Sequence, residues 1–214
     1  MKTYIFNTSD YAIGAISSIR EKIDIILLLL NTIKYVSSST LEELTSVTQK
    51  EIVVVIHIDK MSRVFYCKEE KIHTFQFPFS IIEKDGKLKI YRINYELDSK
   101  ATSILMDIFQ NGDQFNESLE YVFDIFMDTM NDFEVTEINY KIYWDLIVYL
   151  LTFESGYLRY DYDEEREDGN RHPLNHLDIY YSNKNTFKIG LDKKMNNADL
   201  INLIDINKEC KILK

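Results

Sequence analysis

The 214-residue chain carries a formal net charge of −10 and contains 15 tyrosines, 12 phenylalanines, 6 glycines and 2 prolines. This charge disfavours nucleic-acid binding, which gains affinity from Lys and Arg at phosphates, and the scarcity of Gly and Pro argues against a disordered chain. The length suits a single α+β domain over residues 1–214. We expect an antiparallel β-meander packed against several helices, with a C-terminal three-stranded antiparallel segment.

The cysteines and the apolar runs indicate a cytoplasmic protein. Cys67 and Cys210 are far apart in the sequence and predict free thiols in a reducing compartment. The most apolar run, residues 25–30, is too short to cross a membrane, and no signal peptide is visible. We therefore expect neither membrane insertion nor a disulfide framework.

Residues 1–50 predict a short edge strand followed by two helices. The strand covers residues 1–6, and residues 8–10 (Thr, Ser, Asp) are candidate N-caps of a long helix whose Ile and Leu side chains recur every three or four positions. Thr40 and Glu43 form a capping-box pattern that begins a second, short helix. We interpret the long helix as a core element, with dimerisation through it, and hence a homodimer, as the alternative.

Residues 51–95 predict a meander of four or five strands. The β-branched run at 52–58 shows little alternation, which indicates a central strand covered on both faces. Asp85 and Gly86 separate two strand patterns and predict a two-residue hairpin turn, because both residue types tolerate positive φ. His57 and His73 have no acid or Cys at ligand spacing, so we interpret them as hydrogen-bonded structural histidines.

Residues 100–153 predict three helices, at 101–110, 116–131 and 138–153. The second helix carries an acidic stripe at spacings of three and four residues: Glu117, Glu120, Asp124 and Asp128. We interpret this stripe as a solvated face, with an acidic docking face for a basic partner as the alternative. The third helix is apolar nearly all round, which predicts burial with Trp144 as a core anchor. A tail helix is expected within residues 195–214.

Residues 156–191 hold the densest set of polar side chains between short apolar ones. Three strands are predicted, at 157–162, 176–181 and 186–191. Alternation places Leu177 and Ile179 inward and His176 and Asp178 outward. If the three strands pair, five polar side chains share one face: Arg159, Asp161, His176, Asp178 and Lys188. This expectation depends on register, because a slip of one residue moves a side chain to the opposite face.

This face and the preceding loop supply the candidate site residues. The candidate catalytic residues are His172, His176, Asp161 and Asp178, and the candidate metal ligands are His172, His176 and Asp178. Such acids suit Mg²⁺ in phosphodiester cleavage, with Lys188 stabilising charge. Pro173 forbids a helix here, so the two histidines are not a helical zinc pair. Two alternatives stay open: a salt-bridged structural face, and a phosphate-reading pocket formed by Arg159, Lys188 and stacking tyrosines such as Tyr160.

The C-terminal third resembles an uncharacterised prokaryotic family, a domain of unknown function. The resemblance rests on a strand with Arg159 and Asp161, followed by an HPxxHL motif that begins at His172. It implies a bacterial or phage origin and gives no activity.

The leading functional prediction is a non-enzymatic interaction protein, an accessory subunit or inhibitor that binds a protein partner through an acidic, aromatic-rich surface. The sequence contains no nucleophile elbow, phosphate loop or zinc ligand set, and no cofactor is expected. One alternative is a metal-dependent hydrolase or nuclease centred on the C-terminal His and Asp residues. The other is a small-ligand or nucleotide-binding module.

Overall fold

The computed structural model describes residues 2–9, 16, 19, 21–46, 52–111, 118–182 and 185–209. These residues form an α+β fold with six α-helices, a seven-stranded antiparallel sheet and a separate three-stranded antiparallel sheet, which confirms the predicted fold class. Within these ranges, the helices are too short or too polar to cross a membrane.

The strands are β1 (Lys2–Thr8), β2 (Ile52–Ile58), β3 (Arg63–Lys68), β4 (Lys71–Gln76), β5 (Ser80–Lys84), β6 (Lys87–Arg92), β7 (Tyr95–Glu96), β8 (Leu158–Tyr162), β9 (Asn175–Ser182) and β10 (Asn185–Gly190). The helices are α1 (Lys22–Ser38), α2 (Leu41–Ser46), α3 (Ser99–Gln110), α4 (Leu119–Asp132), α5 (Tyr140–Thr152) and α6 (Asn197–Ile204), with a 3₁₀ turn at Glu137–Asn139. The large sheet has the order β1-β2-β3-β4-β8-β9-β10, and the small sheet has the order β5-β6-β7.

The chain divides into two compact units. Unit 1 comprises Met1–Asp10, Thr45–Pro78 and Ser155–Lys214, and unit 2 comprises Tyr11–Leu44 and Phe79–Glu154. Unit 1 contains the large sheet and α6, whereas unit 2 contains the small sheet with α1, α3, α4 and α5. The prediction of one domain for the whole chain stays a prediction.

The predicted meander is divided between the two sheets, which corrects the expectation of one continuous run of strands. β2 to β4 pair in succession, but β4 then pairs with β8, and β5 begins the small sheet. Pro78 lies at this break, where its missing N–H prevents the strand ladder from continuing. The turn at Asp85 and Gly86 has φ values of 52° and 71°, which confirms the predicted hairpin. β2 is a central strand, as predicted, and β1 is an edge strand.

The predicted start of the first long helix borders residues 10–15, which lie outside the described residues, but the helix that contains residues 25–30 does not reach back to it because Glu21 has an extended backbone. Thr8 ends β1, and α1 begins only at Lys22, where the Asp24 carboxylate accepts the Glu21 N–H at 2.8 Å. Asp10 lies outside the described residues. The capping box that begins α2 is confirmed, because Thr40 N–H donates to the Glu43 carboxylate at 2.7 Å and Glu43 N–H donates to the Thr40 hydroxyl at 3.2 Å.

Helix α5 is buried on one face only, although its sequence is apolar nearly all round and predicts burial with Trp144 as a core anchor. Its buried side chains are Tyr143, Leu146, Ile147 and Leu150. Trp144 is only half-buried, and Val148 is 36% exposed. The two residues are four positions apart and so lie on one stripe of the helix, which stays at the surface because the opposite stripe supplies the packing contacts.

One face of the large sheet carries part of the apolar core of unit 1. This part joins five strand residues to the buried Leu200 of α6: Val55, Phe65, Ile72, Tyr160 and Leu177. Helix α6, the expected tail helix, begins after Asn196, whose side chain accepts the Asp199 N–H at 3.0 Å. By alternation, the residues between these apolar positions point to the other face, and there the polar side chains of β8 to β10 lie.

Candidate functional site

The register of three neighbouring strands brings five polar side chains to one face of the large sheet. On β8 and β9, Asp161 pairs with His176 and Arg159 pairs with Asp178. On β10, Lys188 pairs with Asp178. The structure therefore confirms that the five residues share one face, and we name them the polar cluster. The two β9 residues of the cluster are not solvated: His176 and Asp178 are 0% and 4% exposed, so the expectation that they face outward is wrong.

Arg159 joins the two acids of the polar cluster. Its Nη2 lies 2.7 Å from Oδ2 of Asp161 and 2.6 Å from Oδ2 of Asp178, and its Nε donates to the same Asp161 oxygen at 2.8 Å. Burial opposes the charge of Arg159, but Asp161, two tyrosines and Asp178 outweigh it and raise the arginine pKa above its ordinary value. Arg159 is therefore a fixed cation, and it compensates one of the two buried negative charges.

His176 is held in one tautomer by a backbone carbonyl. Its Nδ1 lies 2.7 Å from the carbonyl oxygen of Pro173, which can only accept, so we assign the ring proton to Nδ1. The Lys188 ammonium, which can only donate, lies 3.1 Å from Nε2, so Nε2 is the acceptor of this contact; Oδ2 of Asp161 lies 3.5 Å from the same nitrogen. The imidazole thus presents an acceptor to the centre of the polar cluster.

Each acid of the polar cluster keeps one buried oxygen without a hydrogen bond. These atoms are Oδ1 of Asp161 and Oδ1 of Asp178. Nζ of Lys188 is 3.6 Å from the second of them, which is beyond hydrogen-bonding distance. Asp161, His176 and Asp178 each offer a ligand atom, and the three atoms lie within 4.8 Å of one another. This is a compact set of two carboxylates and one imidazole, all buried.

His172 lies beside the polar cluster but outside this set of ligand atoms. Its ring contacts His176 edge-on, with centroids 4.6 Å apart, and its Nε2 is 4.0 Å from the Asp163 carboxylate. His172 forms an isolated bridge with Asp168 in the loop between β8 and β9, which confirms that the two histidines do not share a helix.

Tyr160 lies on the opposite face of β8, away from Arg159 and Lys188. It is 1% exposed, its hydroxyl donates to the Asn175 side chain at 2.9 Å, and the same hydroxyl accepts the Met195 N–H at 3.0 Å. The structure therefore places Tyr160 in the apolar core of unit 1.

Two other tyrosines border the polar cluster, and neither was among the candidate site residues. Tyr157 and Tyr180 stack with ring centroids 4.2 Å apart, and the guanidinium of Arg159 lies 5.7 Å from the Tyr180 centroid. The two-residue period of strands places both tyrosines on the face of the polar cluster. Tyr157 precedes Arg159 by two positions, and Tyr180 follows Asp178 by two.

His73 of β4 lies on the same face of the large sheet as the polar cluster. It is the register partner of Arg159 in the pairing of β4 with β8. Its Nδ1 is 2.9 Å from the Tyr157 hydroxyl, which confirms a hydrogen-bonded structural histidine. Burial, with Arg159 and Lys71 nearby, lowers the pKa of His73 to about 3. His57 is likewise buried, with Nδ1 at 3.2 Å from the Thr3 hydroxyl.

Comparisons with protein-family models, with curated proteins and with solved structures found no match for this chain. The resemblance of the C-terminal third to a prokaryotic family stays a prediction.

Proposed function

We propose that this chain binds a divalent metal ion between Asp161, His176 and Asp178. The observation that carries the proposal is the arrangement of these groups: an imidazole fixed by a carbonyl, beside two buried carboxylates that each keep an oxygen without a donor. Histidines that bind metals commonly donate their other ring N–H to a carbonyl or carboxylate, which fixes the ring. A cation between the three side chains would satisfy acceptors that hydrogen bonds leave unsatisfied.

The charges of the polar cluster support a cation at this position. Asp161 and Asp178 carry two negative charges, and Arg159 offsets one of them. The ammonium of Lys188 offsets the other negative charge. Its Nζ lies 3.1 Å from Nε2 of His176 and 3.6 Å from Oδ1 of Asp178. Lys188 is on the edge strand β10 and its side chain is 31% exposed, so its flexible stem can carry the ammonium into solvent when a metal ion enters.

The donor set favours Mn²⁺ or Zn²⁺. Mg²⁺, which the sequence suggested, prefers oxygen ligands, whereas an imidazole nitrogen among carboxylates suits a first-row transition metal. Metal–ligand bonds of about 2.0–2.2 Å require ligand atoms at most about 4.4 Å apart. The observed set lies within 4.8 Å, so small side-chain movements complete the site.

The activity we propose for the metal-loaded site is hydrolysis of a phosphate ester. A divalent ion in place of the Lys188 ammonium leaves one positive charge in excess beside Arg159, and this charge attracts an anionic substrate. The ion would polarise a phosphoryl oxygen, and the displaced ammonium of Lys188 would be free to bind another.

Calorimetric titration of the metal-stripped protein with MnCl₂ tests the site. We expect one ion per chain for the wild type and none for His176→Ala. His73→Ala is the matched control. It also removes a buried histidine from this face of the sheet, but His73 is hydrogen-bonded to Tyr157 and is not a proposed ligand. Absence of binding by the wild type, or equal binding by His176→Ala, would overturn the proposal.

Release of nitrophenol from bis(p-nitrophenyl) phosphate tests the activity separately. Turnover that depends on Mn²⁺ and disappears in His176→Ala supports a hydrolase. Stoichiometric metal binding without turnover leaves the metal site in place and removes the proposed activity.

A second candidate function is the binding of a protein partner, the leading prediction from the sequence. The observation that favours it is the surface of unit 2, where large apolar side chains are exposed: Ile82, Ile93, Leu119, Phe123, Ile138 and Val148. Unlike the polar cluster, this surface needs no metal.

A further inference from the structure

The net negative charge of the protein resides in one of its two units. Unit 2 contains 9 basic and 19 acidic residues, and unit 1 contains 16 of each, which together account for the 25 basic and 35 acidic residues of the chain. The formal charge of −10 therefore belongs entirely to unit 2. Such a field accelerates association with a basic partner and keeps copies of the unit apart.

Helix α4 places apolar and acidic side chains side by side at the surface of unit 2. Leu119 and Phe123, four residues apart, are 66% and 45% exposed. Glu120, Asp124 and Asp128 form a neighbouring exposed stripe with the same spacing. This confirms the predicted solvated acidic face over the described part of the helix, with Glu117 outside it.

The exposed apolar surface continues from α4 onto α5 through aromatic contacts. The ring of Phe123 meets Trp144 edge-on, with centroids 5.2 Å apart, and Phe126 meets Trp144 at 5.4 Å. Trp144 also lines a groove of about 720 Å³ with Val148 and with Ile93 from the turn between β6 and β7. Leu119, Phe123, Trp144, Val148 and Ile93 thus border one connected apolar surface, which we name the docking face.

Ile93 is held in an unfavourable backbone conformation at the edge of the groove. Its φ is 56°, a value that branched side chains rarely adopt, and the residue is 77% exposed. Neighbouring Arg92 has its guanidinium 3.6 Å from the Tyr149 ring centroid, and its buried Nε has no hydrogen bond. Strain and unsatisfied polar groups concentrate at binding sites, and both occur at this end of the docking face.

We propose that the docking face binds a basic amphipathic helix of a partner protein. The apolar stripe of that helix would cover Phe123, Trp144 and Val148, and its Lys and Arg side chains would face Glu120, Asp124 and Asp128. A second copy of this chain fits less well, because two units of charge −10 repel each other. The inference is independent of the metal site and deepens the interaction role by naming the chemistry of the partner.

The single tryptophan of the chain gives a direct test, because Trp144 is half-buried within the docking face. The probe is a synthetic amphipathic helix of Leu and Lys, compared with a peptide of the same composition whose order lacks the helical period. We expect the amphipathic peptide to shift the Trp144 emission and to bind at least about tenfold more tightly than the other peptide. Added salt should weaken its binding.

Phe123→Ser should weaken binding of the amphipathic peptide about tenfold. Phe187→Ser is the matched control, since Phe187 is a 58% exposed phenylalanine of unit 1, and it should leave the affinity unchanged. Equal binding of both peptides, or equal affinity of Phe123→Ser and the wild type, would overturn the proposal. So would a concentration-dependent dimer in sedimentation that Phe123→Ser dissociates, since the docking face would then bind a second copy. A natural partner that binds Phe123→Ser normally would preserve the interaction role and exclude this surface.

Discussion

The ammonium nitrogen of Lys188 lies 3.1 Å from Nε2 of His176, the only ring nitrogen of that histidine free to bind a metal ion. The same ammonium is 3.6 Å from Oδ1 of Asp178, an oxygen with no hydrogen bond. At the proposed metal site, Lys188 and a metal ion would therefore compete for the same acceptors. In a purely structural network, by contrast, Lys188 would only stabilise the fold.

Lys188→Met should tighten Mn²⁺ binding about tenfold, because it removes the competing cation and leaves the three ligands in place. Calorimetric titration measures the change. Lys194→Met is the control, since Lys194 pairs with Glu70 at 2.8 Å and is not part of the polar cluster. Unchanged or weaker Mn²⁺ binding in Lys188→Met would show that the ammonium and the ion do not share a site.

Arg159→Met should lower the free energy of unfolding by about 3–5 kcal/mol, because it leaves the buried carboxylates of Asp161 and Asp178 without their shared partner. Urea denaturation measures the loss. Lys141→Met removes the exposed ion pair with Asp145 and should cost less than about 1 kcal/mol. Similar losses in the two variants would mean that the buried pairs contribute no more than a surface pair.

Stability should fall in acid because of His73. Its pKa is about 3 in the folded protein, against an ordinary value of 6.5. Well above pH 6.5 the His73 ring is neutral in both the folded and the unfolded chain, so its full contribution to the free energy of unfolding is present. As the pH falls from 6.5 towards 3, the unfolded chain binds a proton that the folded chain excludes, and stability is lost.

This loss should reach about 2 kcal/mol at pH 5. The measurement is the difference in free energy of unfolding between pH 7.5 and pH 5, compared between wild type and His73→Gln. Between these two pH values, His73→Gln should lose about 2 kcal/mol less free energy of unfolding than the wild type. Identical losses in the two proteins would contradict a neutral buried His73.

The Cys67 thiol should react slowly with thiol reagents. Burial raises its pKa to about 12, so its thiolate fraction at pH 8 is about a thousandfold below that of a thiol at the ordinary value of 9.0. The measurement uses Ellman's reagent on a Cys210→Ser variant, with and without denaturing urea. Reaction of the folded protein as fast as the unfolded protein would contradict this protection.

Prediction of the polar cluster from the sequence succeeded where alternation alone decided it. Arg159 and Asp161 had to share a face of β8, and His176 and Asp178 a face of β9, once those strands were recognised. The candidate ligand His172 lies in a loop, where no period applies, and it contacts His176 without joining the ligand set. The role of the Pro173 carbonyl was invisible because any residue type supplies the same backbone group.

Local patterns determined the α+β class, the capping boxes at Thr40 and Asn196, and the hairpin turn at Asp85 and Gly86, because each depends on residues a few positions apart. Only the tertiary structure decided that β4 pairs with β8, since nothing local to either strand encodes a pairing between segments so distant in the sequence. That pairing places His73 beside Arg159 on the face of the polar cluster. Composition alone fixed the net charge at −10, but only the division into two units assigned all of it to unit 2.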